Sequence, residues 1–403
     1  MVKKQNDYPL ILSVFILIFI GIVGIYCADN EVSTIPLAIK QMIWAISGTF
    51  LIIFIQFIHP KKLLDFAPFF YTLMIISFVL VIFIGSTHMG AKRWLNLGFY
   101  EIQPSEFGKL IIVLALARYF SLGKVHWNKV DITNIIGVVI TLVPVFLVFK
   151  QPDLGTSLVY LAVLMVMMFA SGLSYLHTIN ILMMVVSVIT KALGYQFFIT
   201  QLVLYGIFLV KTGKKKLNIL ILWLINFSAG MATSFMWDKL KPYQKQRITS
   251  FLDPEKFVQQ GGWHVVQSKT AIVNGGFWGQ GIKGGSQTQL NFLPEGHTDF
   301  IFAVIIEELG MFMGIIVIAL FALLIYRTVK ISISVKNKGY FLICIGIASI
   351  FLYQVMINIG MTMGIMPITG LPLPFLSYGG SSMLFNMALV GILINISRNR
   401  RDF

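Results

Sequence analysis

The sequence predicts an all-α polytopic membrane protein, and three observations predict it. Of 403 residues, 57% are hydrophobic and only 12% charged, whereas soluble domains carry about 25% charged residues. The mean hydropathy is +0.84. Apolar runs recur at the length of about 20 residues that a bilayer crossing requires. Length alone suggests two or three domains, but helices packed as one bundle in lipid override that prior. A single membrane domain over 1–403 is expected.

In chain order the apolar runs fall at 9–27, 36–58, 67–85, 107–120, 133–149, 154–171, 174–191, 195–210, 217–237, 300–326, 339–363 and 379–397. The first follows Lys3 and Lys4. It is long for a signal-peptide core and lacks a clear small-x-small cleavage site, so a retained helix is expected. With the N-terminus inside, the short inner gaps hold eighteen of the 31 basic residues, the pattern that sets orientation. Gaps 86–106, 150–153, 364–378 and the long loop 238–299 then lie outside, and both termini face the cytoplasm. Three crossings are preferred within 172–237, with "KTGKKK" at 211–216 as an inner gap. One long run plus two surface helices keeps the same parity. The net charge of +15 follows this distribution, so nucleic acid is not an expected partner. Cys27 and Cys344 lie in or beside apolar runs with no CxxC, which suggests neither a disulfide framework nor a zinc site.

Polar residues gather in the outer gaps. In "GAKRWLNLGFYEIQPSEFGK", Lys92 and Arg93 are cationic and Trp94 suits an interface. Pro104, the candidate N-cap Ser105 and Glu106 read as a helix start. Lys109 lies one turn further in, where a lone cation pairs or faces a cavity. The plainest reading of this stretch is an interfacial loop with snorkelling cations. In "KQPDLGTS", Asp153 can cap the next helix, and a capping carboxylate can also orient a neighbouring cation.

The long loop has a basic amphipathic stretch, "KLKPYQKQRITSFLDPEKF", suited to the membrane surface. Eight glycines follow between 261 and 285, and glycine allows close approach by a ligand. Lys245, Arg247, Lys269 and Lys283 can offset a phosphate's charge. Trp263, Phe277, Trp278 and Leu293 would be wasted in a solvated linker. No Walker A or ordered GxGxxG pattern is present, so nucleotide binding is not indicated. In "NFLPEGHTDFIFAVIIEELG", Asp299 stands at a helix entrance, where capping is the simplest role. Glu307 and Glu308 lie deeper, and pairing with Lys109 is one expectation for them. No second histidine stands at ligand spacing from His297, so the sequence defines no metal site. In "GIMPITGLPLPFLSYGGSS", Pro367, Pro372 and Pro374 break any helix. Such backbone at membrane depth needs cover from protein or a water-filled cavity.

Together these motifs, with "QPSEFGK", "QPDLGTS", "YQKQRITSFLDP" and "GGWHVVQSKTAIVNGGFWGQG", resemble the SEDS family (shape, elongation, division and sporulation). "GSQTQLNFLPE" and "PITGLPLPFLSYGG" resemble its rod-shape branch more than its division branch. The resemblance implies a bundle of ten core crossings, and this chain carries two further runs within 172–237. It implies a peptidoglycan glycosyltransferase that polymerises lipid II at the outer face of the cytoplasmic membrane. It places the catalytic acid, the aspartate of the "HTDF" motif, on Asp299. It also implies a class B penicillin-binding protein and other elongation-complex membrane proteins as partners.

The chemistry that follows is general base catalysis. Asp299 takes a proton from the acceptor sugar's 4-hydroxyl as that oxygen attacks the anomeric carbon. Cations steady the departing undecaprenyl diphosphate, with Lys92, Arg93, Lys245 and Arg247 as candidates. Trp94, Glu106, Lys109, Asp153, Trp263, His297, Ser377 and Tyr378 complete the candidate substrate contacts. No cofactor is evident in the sequence, although a divalent cation (Mg or Mn) could share the charge-neutralising role. The competing readings are a lipid II flippase, which broken helices and intramembrane acids also suit, and a non-catalytic scaffold for a penicillin-binding protein.

Overall fold

A computed structural model describes residues 7–29, 35–88, 91–96, 98, 101–123, 127, 132–239, 245, 249–251, 256 and 262–399. Contacts divide the chain into two compact units, one formed by residues up to Ser171 and from Ser250 onward, the other by Gly172–Thr249.

The first unit opens with α1 (Tyr8–Ala28), α2 (Leu37–Ile55), the short α3 (Pro60–Asp65) and α4 (Ala67–Ile84). Asp7 caps α1, with Oδ1 accepting from Leu10 N at 3.3 Å, and Pro9 fits its first turn. A small antiparallel sheet follows in the order β1 (Ser86–His88), β2 (Ala91–Asn96), β3 (Glu101–Ile102). Its register pairs Ser86 with Trp94 and Asn96 with Glu101. The sequence reads this stretch as an interfacial loop. The alternation in "AKRWLN" is too brief, and its strands too polar, to stand out between long apolar runs.

Next come α5 (Pro104–Ser121), α6 (Ile132–Lys150) and α7 (Leu154–Ser171). Pro104 is the first residue of α5 and Gln103 its cap, so the helix starts ahead of the expected Ser105 cap. After the second unit, α11 (Gly262–Gly275), α12 (Ser286–Gln289), α13 (Ile301–Ser334), α14 (Lys338–Thr362) and α15 (Gly380–Arg398) complete the bundle. α15 is buried along almost its whole length and packs along α2, as α1 does along α13. The bundle has two polar ends. At one, Arg327 forks onto Asp7 at 2.7 Å and Arg118 meets Asp65 at 3.0 Å. At the other lie the sheet and the turns that carry the motifs.

The second unit is α8 (Tyr175–Leu193), α9 (Tyr195–Lys211) and α10 (Lys216–Lys239). A buried polar seam joins its three helices. Tyr205 and Asn226 both donate to Asn180 Oδ1 at 2.7 Å, and Ser187 reaches Gln201 at 3.1 Å. In lipid, apolar side chains supply little drive for helix association, so hydrogen bonds of this kind act as glue. Among the described residues ten helices are long and apolar enough to cross a membrane. α5 carries Glu106, Lys109 and Arg118, and α9 has 17 residues, so these two stand outside that set.

α13 is not one straight rod. Gly310 has φ 87 and ψ 165 within it, which opens the hydrogen-bond ladder. The chain after α11 refills the gap. Met311 N donates to Gly276 O at 2.9 Å and Phe312 N to Phe277 O at 3.2 Å. In return Glu307 O accepts from Gln280 N at 2.9 Å and Glu308 O from Gly281 N at 3.0 Å. Two backbones can approach this closely only without side chains between them. A Cβ on Gly279 would collide with the Glu308 carbonyl and lie 2.6 Å from Gly310 N.

The expected consequence separates two neighbours. Gly279→Ala meets backbone and a left-handed φ of 83, and lowers stability by about 3 kcal/mol or more. Gly276→Ala has φ 55 but open space around it, and loses only about 1 kcal/mol. Thermal unfolding of the two variants in detergent measures the difference.

Candidate active site

The Asp299 segment is a tight turn ahead of α13. Thr298 N and Phe300 N both donate to Glu295 O at 3.2 Å, and Glu295 sits at φ 55. Phe300 is the cap position of α13, and no side chain caps it. Asp299 therefore precedes the cap, and the capping role that the sequence suggests is not the one built here.

Three tethers instead hold this turn to the broken segment 364–379. Ser377 Oγ donates to Thr298 O at 2.6 Å. Tyr378 N donates to His297 O at 2.9 Å. Asn358 Nδ2, from α14, donates to Asp299 O at 2.9 Å and to Leu371 O at 2.8 Å. Gln41, from α2, locks the far end of the segment by donating to Ser377 O at 3.1 Å and accepting from Gly379 N at 3.2 Å. Gln41 and Asn358 are fully buried, and sequence reasoning passed over both. A lone amide in an apolar helix was the signal that would have found them.

The Asp299 carboxylate is half-buried and faces Gly370, where an added Cβ would stand 3.5 Å from Oδ2. Gly370 has φ 73, so the turn and the room beside the acid both favour glycine. The rings of His297 and Tyr378 meet edge to face at 5.9 Å. A cavity lies on either side of this pair. One, of about 220 Å³, is lined by Asp29, Asn291, Glu295 and His297. The other, of about 490 Å³, is lined by Trp44, Trp94, Asn96, Glu101 and Tyr378.

The cationic cluster is built from α5, the sheet and the turn before α7. Asp153 caps α7 by accepting from Thr156 N at 3.2 Å and Thr156 Oγ1 at 2.9 Å. It also stands 3.9 Å from Arg93 Nη1, and Arg93 donates to Pro152 O. One carboxylate thus caps a helix and orients a guanidinium. Lys109 is fully buried and pairs with Glu106 at 2.7 Å, with its ammonium 5.0 Å from the Phe385 ring centroid. Glu106 Oε2 is buried and has no hydrogen-bond partner among the described residues.

Glu307 and Glu308 do not serve Lys109. Glu307 accepts from Gln287 N at 2.7 Å, Thr288 N at 3.0 Å and Thr288 Oγ1 at 2.5 Å. Glu308 accepts from Gly284 N at 3.0 Å and Gln289 Nε2 at 3.2 Å. Both acids pin the 284–289 turn, and Gln289 in turn reaches Cys27 O at 2.9 Å. These acids are structural.

Of the remaining predicted contacts, Lys92 is exposed on β2. Trp263 is 40% exposed on α11, beside His264, which stacks on Phe300 at 6.0 Å. Lys245 belongs to the second unit, its ammonium 6.0 Å from the Trp237 ring. Arg247 lies outside the described residues. Among the described residues no three His, Cys, Asp or Glu side chains form a metal-ion site.

Helices at membrane length, a broken segment clamped to an "HTDF" turn, and a buried Glu–Lys pair define a membrane protein of one family. The "Cell cycle protein" family FTSW_RODA_SPOVE matches residues 8–203 and 181–402, and the chain belongs to it. Within that family the chain is RodA-like. It is 32% identical to peptidoglycan glycosyltransferase RodA of Treponema pallidum (strain Nichols), over 97% of both chains. It is 36% identical to peptidoglycan glycosyltransferase MrdB of Escherichia coli (strain K12), over 88% of this chain and 84% of that one. Its fold matches, with a TM-score of 0.76, 26% identity and 99% of both chains covered, a chain from a structure described as "Structural coordination of polymerization and crosslinking by a peptidoglycan synthase complex".

The buried pair generates a prediction. Glu106→Gln or Lys109→Met alone leaves one charge buried without its partner and lowers stability by about 3–5 kcal/mol. The double variant loses clearly less than the two singles together. Thermal unfolding of the four proteins gives the cycle.

Proposed function

We propose that this chain polymerises lipid II into glycan strands and that Asp299 is its general base. It is a peptidoglycan glycosyltransferase of the RodA-like kind, a multi-pass membrane protein. The observation that carries the Asp299 assignment is the clamp. The main chain on both sides of this acid is fixed by Ser377, Tyr378 and Asn358, while its carboxylate stands beside Gly370. A half-buried carboxylate on a turn held this firmly suits a proton acceptor whose benefit comes from placement.

The reaction balances as a displacement. The acceptor sugar's 4-hydroxyl oxygen forms a bond to the anomeric carbon of the donor. The bond from that carbon to the diphosphate breaks, and undecaprenyl diphosphate leaves with the electron pair. The hydroxyl proton passes to Asp299. A positioned base contributes about 10²–10⁴-fold to such a step. Arg93, beside Asp153, and Lys92 are the candidates on this chain to meet the leaving group's charge, and each well-aimed donor is worth about 10²–10³-fold. Lys245 and Arg247 are further candidates on the same chemical grounds. Trp94 and Tyr378 share a cavity wall suited to a sugar's apolar face.

The recess opens on the outer side in this reading, with the chain in the cytoplasmic membrane and both termini inside. The likeness to a chain of a peptidoglycan synthase complex supports a class B penicillin-binding protein as partner. A flippase would need polar groups along a route through the bilayer. Here the two deeper acids are spent on the 284–289 turn.

Asp299→Asn keeps shape and hydrogen-bonding capacity but removes the base. Assayed on labelled lipid II with the partner present, the variant loses polymerisation by about 10²–10⁴-fold while lipid II binding is unchanged. Full activity in a folded variant removes Asp299 from this role.

A further inference from the structure

An apolar groove lies at the end of the bundle away from Asp299. It measures about 530 Å³ and runs between α1, α2 and α15. Ile11, Val14, Phe15, Ile52, Ile53 and Ile394 supply most of its walls, and Arg398 stands at its end. The placement follows from the helices. Arg398 ends α15, whose first residue Gly380 follows the Tyr378 turn, and Ile11 lies in the first turns of α1, whose last turn meets Gln289.

Two polar groups here are unlike their neighbours. Arg118 and Arg327, at this same end, are each paired with an aspartate. Arg398 has neither ion pair nor hydrogen bond among the described residues. Gln56 is the second. Its amide nitrogen donates to Ile52 O at 3.1 Å and Gly391 O at 3.0 Å, which fixes the side chain between α2 and α15. Its Oε1 is left buried with no partner. A guanidinium presents a fork matched to phosphate oxygens.

We propose that this groove is a binding site for an anionic glycerophospholipid of the adjacent leaflet. An acyl chain fills the apolar walls. The phosphate meets Arg398 at the groove's end. Basic recesses between transmembrane helices recognise anionic headgroups in this way, and charge complementarity selects the occupant. The site is separate from the glycosyltransferase recess and does not depend on that assignment.

The test uses the purified full-length chain and native mass spectrometry in detergent, with dioleoylphosphatidylglycerol and dioleoylphosphatidylcholine as competing probes. One phosphatidylglycerol per chain is expected to be retained, roughly tenfold over phosphatidylcholine. Arg398→Gln brings that preference down to parity, and Arg398→Lys keeps part of it. Ile53→Trp, at a groove-lining position that is 51% exposed, narrows the groove and lowers retention of both lipids. Thermal unfolding in phosphatidylcholine micelles confirms that each variant is folded. Equal retention of the two lipids, or a preference untouched by Arg398→Gln, overturns the proposal and leaves an arginine that only reaches toward water. Displacement of phosphatidylglycerol by millimolar inorganic phosphate also overturns it, because the site would then be one for a free anion.

Discussion

Backbone that leaves the helix inside a bilayer must find its hydrogen bonds within the protein, and this molecule depends on how that demand is met. Two segments break away. At Gly310 the ladder of α13 opens, and the turn at 276–281 supplies donors and acceptors to both sides of the break. Along 364–379 the prolines preclude a helix, and Gln41, Asn358 and Ser377 supply what a helix would have supplied. In each place the solution is reciprocal. Gly21 shows how tight the packing is, since a Cβ there would come within 2.7 Å of Leu376 Cα.

The site follows from this constraint. The turn carrying Asp299 lies between the two breaks, tied by its carbonyls to the second and continuous through α13 with the first. Its half-buried side chain stands beside Gly370. Catalysis by a carboxylate whose advantage is position needs such a frame, because a base on a mobile loop spends much of its time out of reach. The cationic side is framed independently. Asp153 holds both the start of α7 and Arg93, and Tyr160 from α7 donates to Ser105 O at 2.8 Å, joining α7 to α5. The two frames meet at the cavity shared by Trp94 and Tyr378.

Much of this was legible in the sequence, and the illegible parts share a cause. Each apolar run became a helix, because length and hydropathy are sums over many residues and tolerate local noise. The broken character of 364–378 was legible because proline cannot hide. The double aspect of Asp153, cap and cation-orienter, was legible from its place before an apolar run and after a lysine-flanked turn. Other features depend on which distant backbone arrives beside a side chain. For Glu307 and Glu308 pairing with Lys109 was one expectation, whereas their partners are in the 284–289 turn. Lys109 found Glu106 one turn away on its own helix. Asn358 and Gln41 looked like incidental polar residues in apolar helices. The sheet at 86–102 was hidden by its brevity.

The central claim is that the clamped turn presents the Asp299 carboxylate to the hydroxyl that attacks. The most direct measurement is a structure of the Asp299→Asn protein with its partner and lipid II bound. The account predicts an acceptor 4-hydroxyl oxygen within about 2.6–3.2 Å of the residue 299 side chain, or one water away, with the donor diphosphate on the Arg93 side. An acceptor sugar seated against other residues, with residue 299 separated from it by protein, would contradict the account.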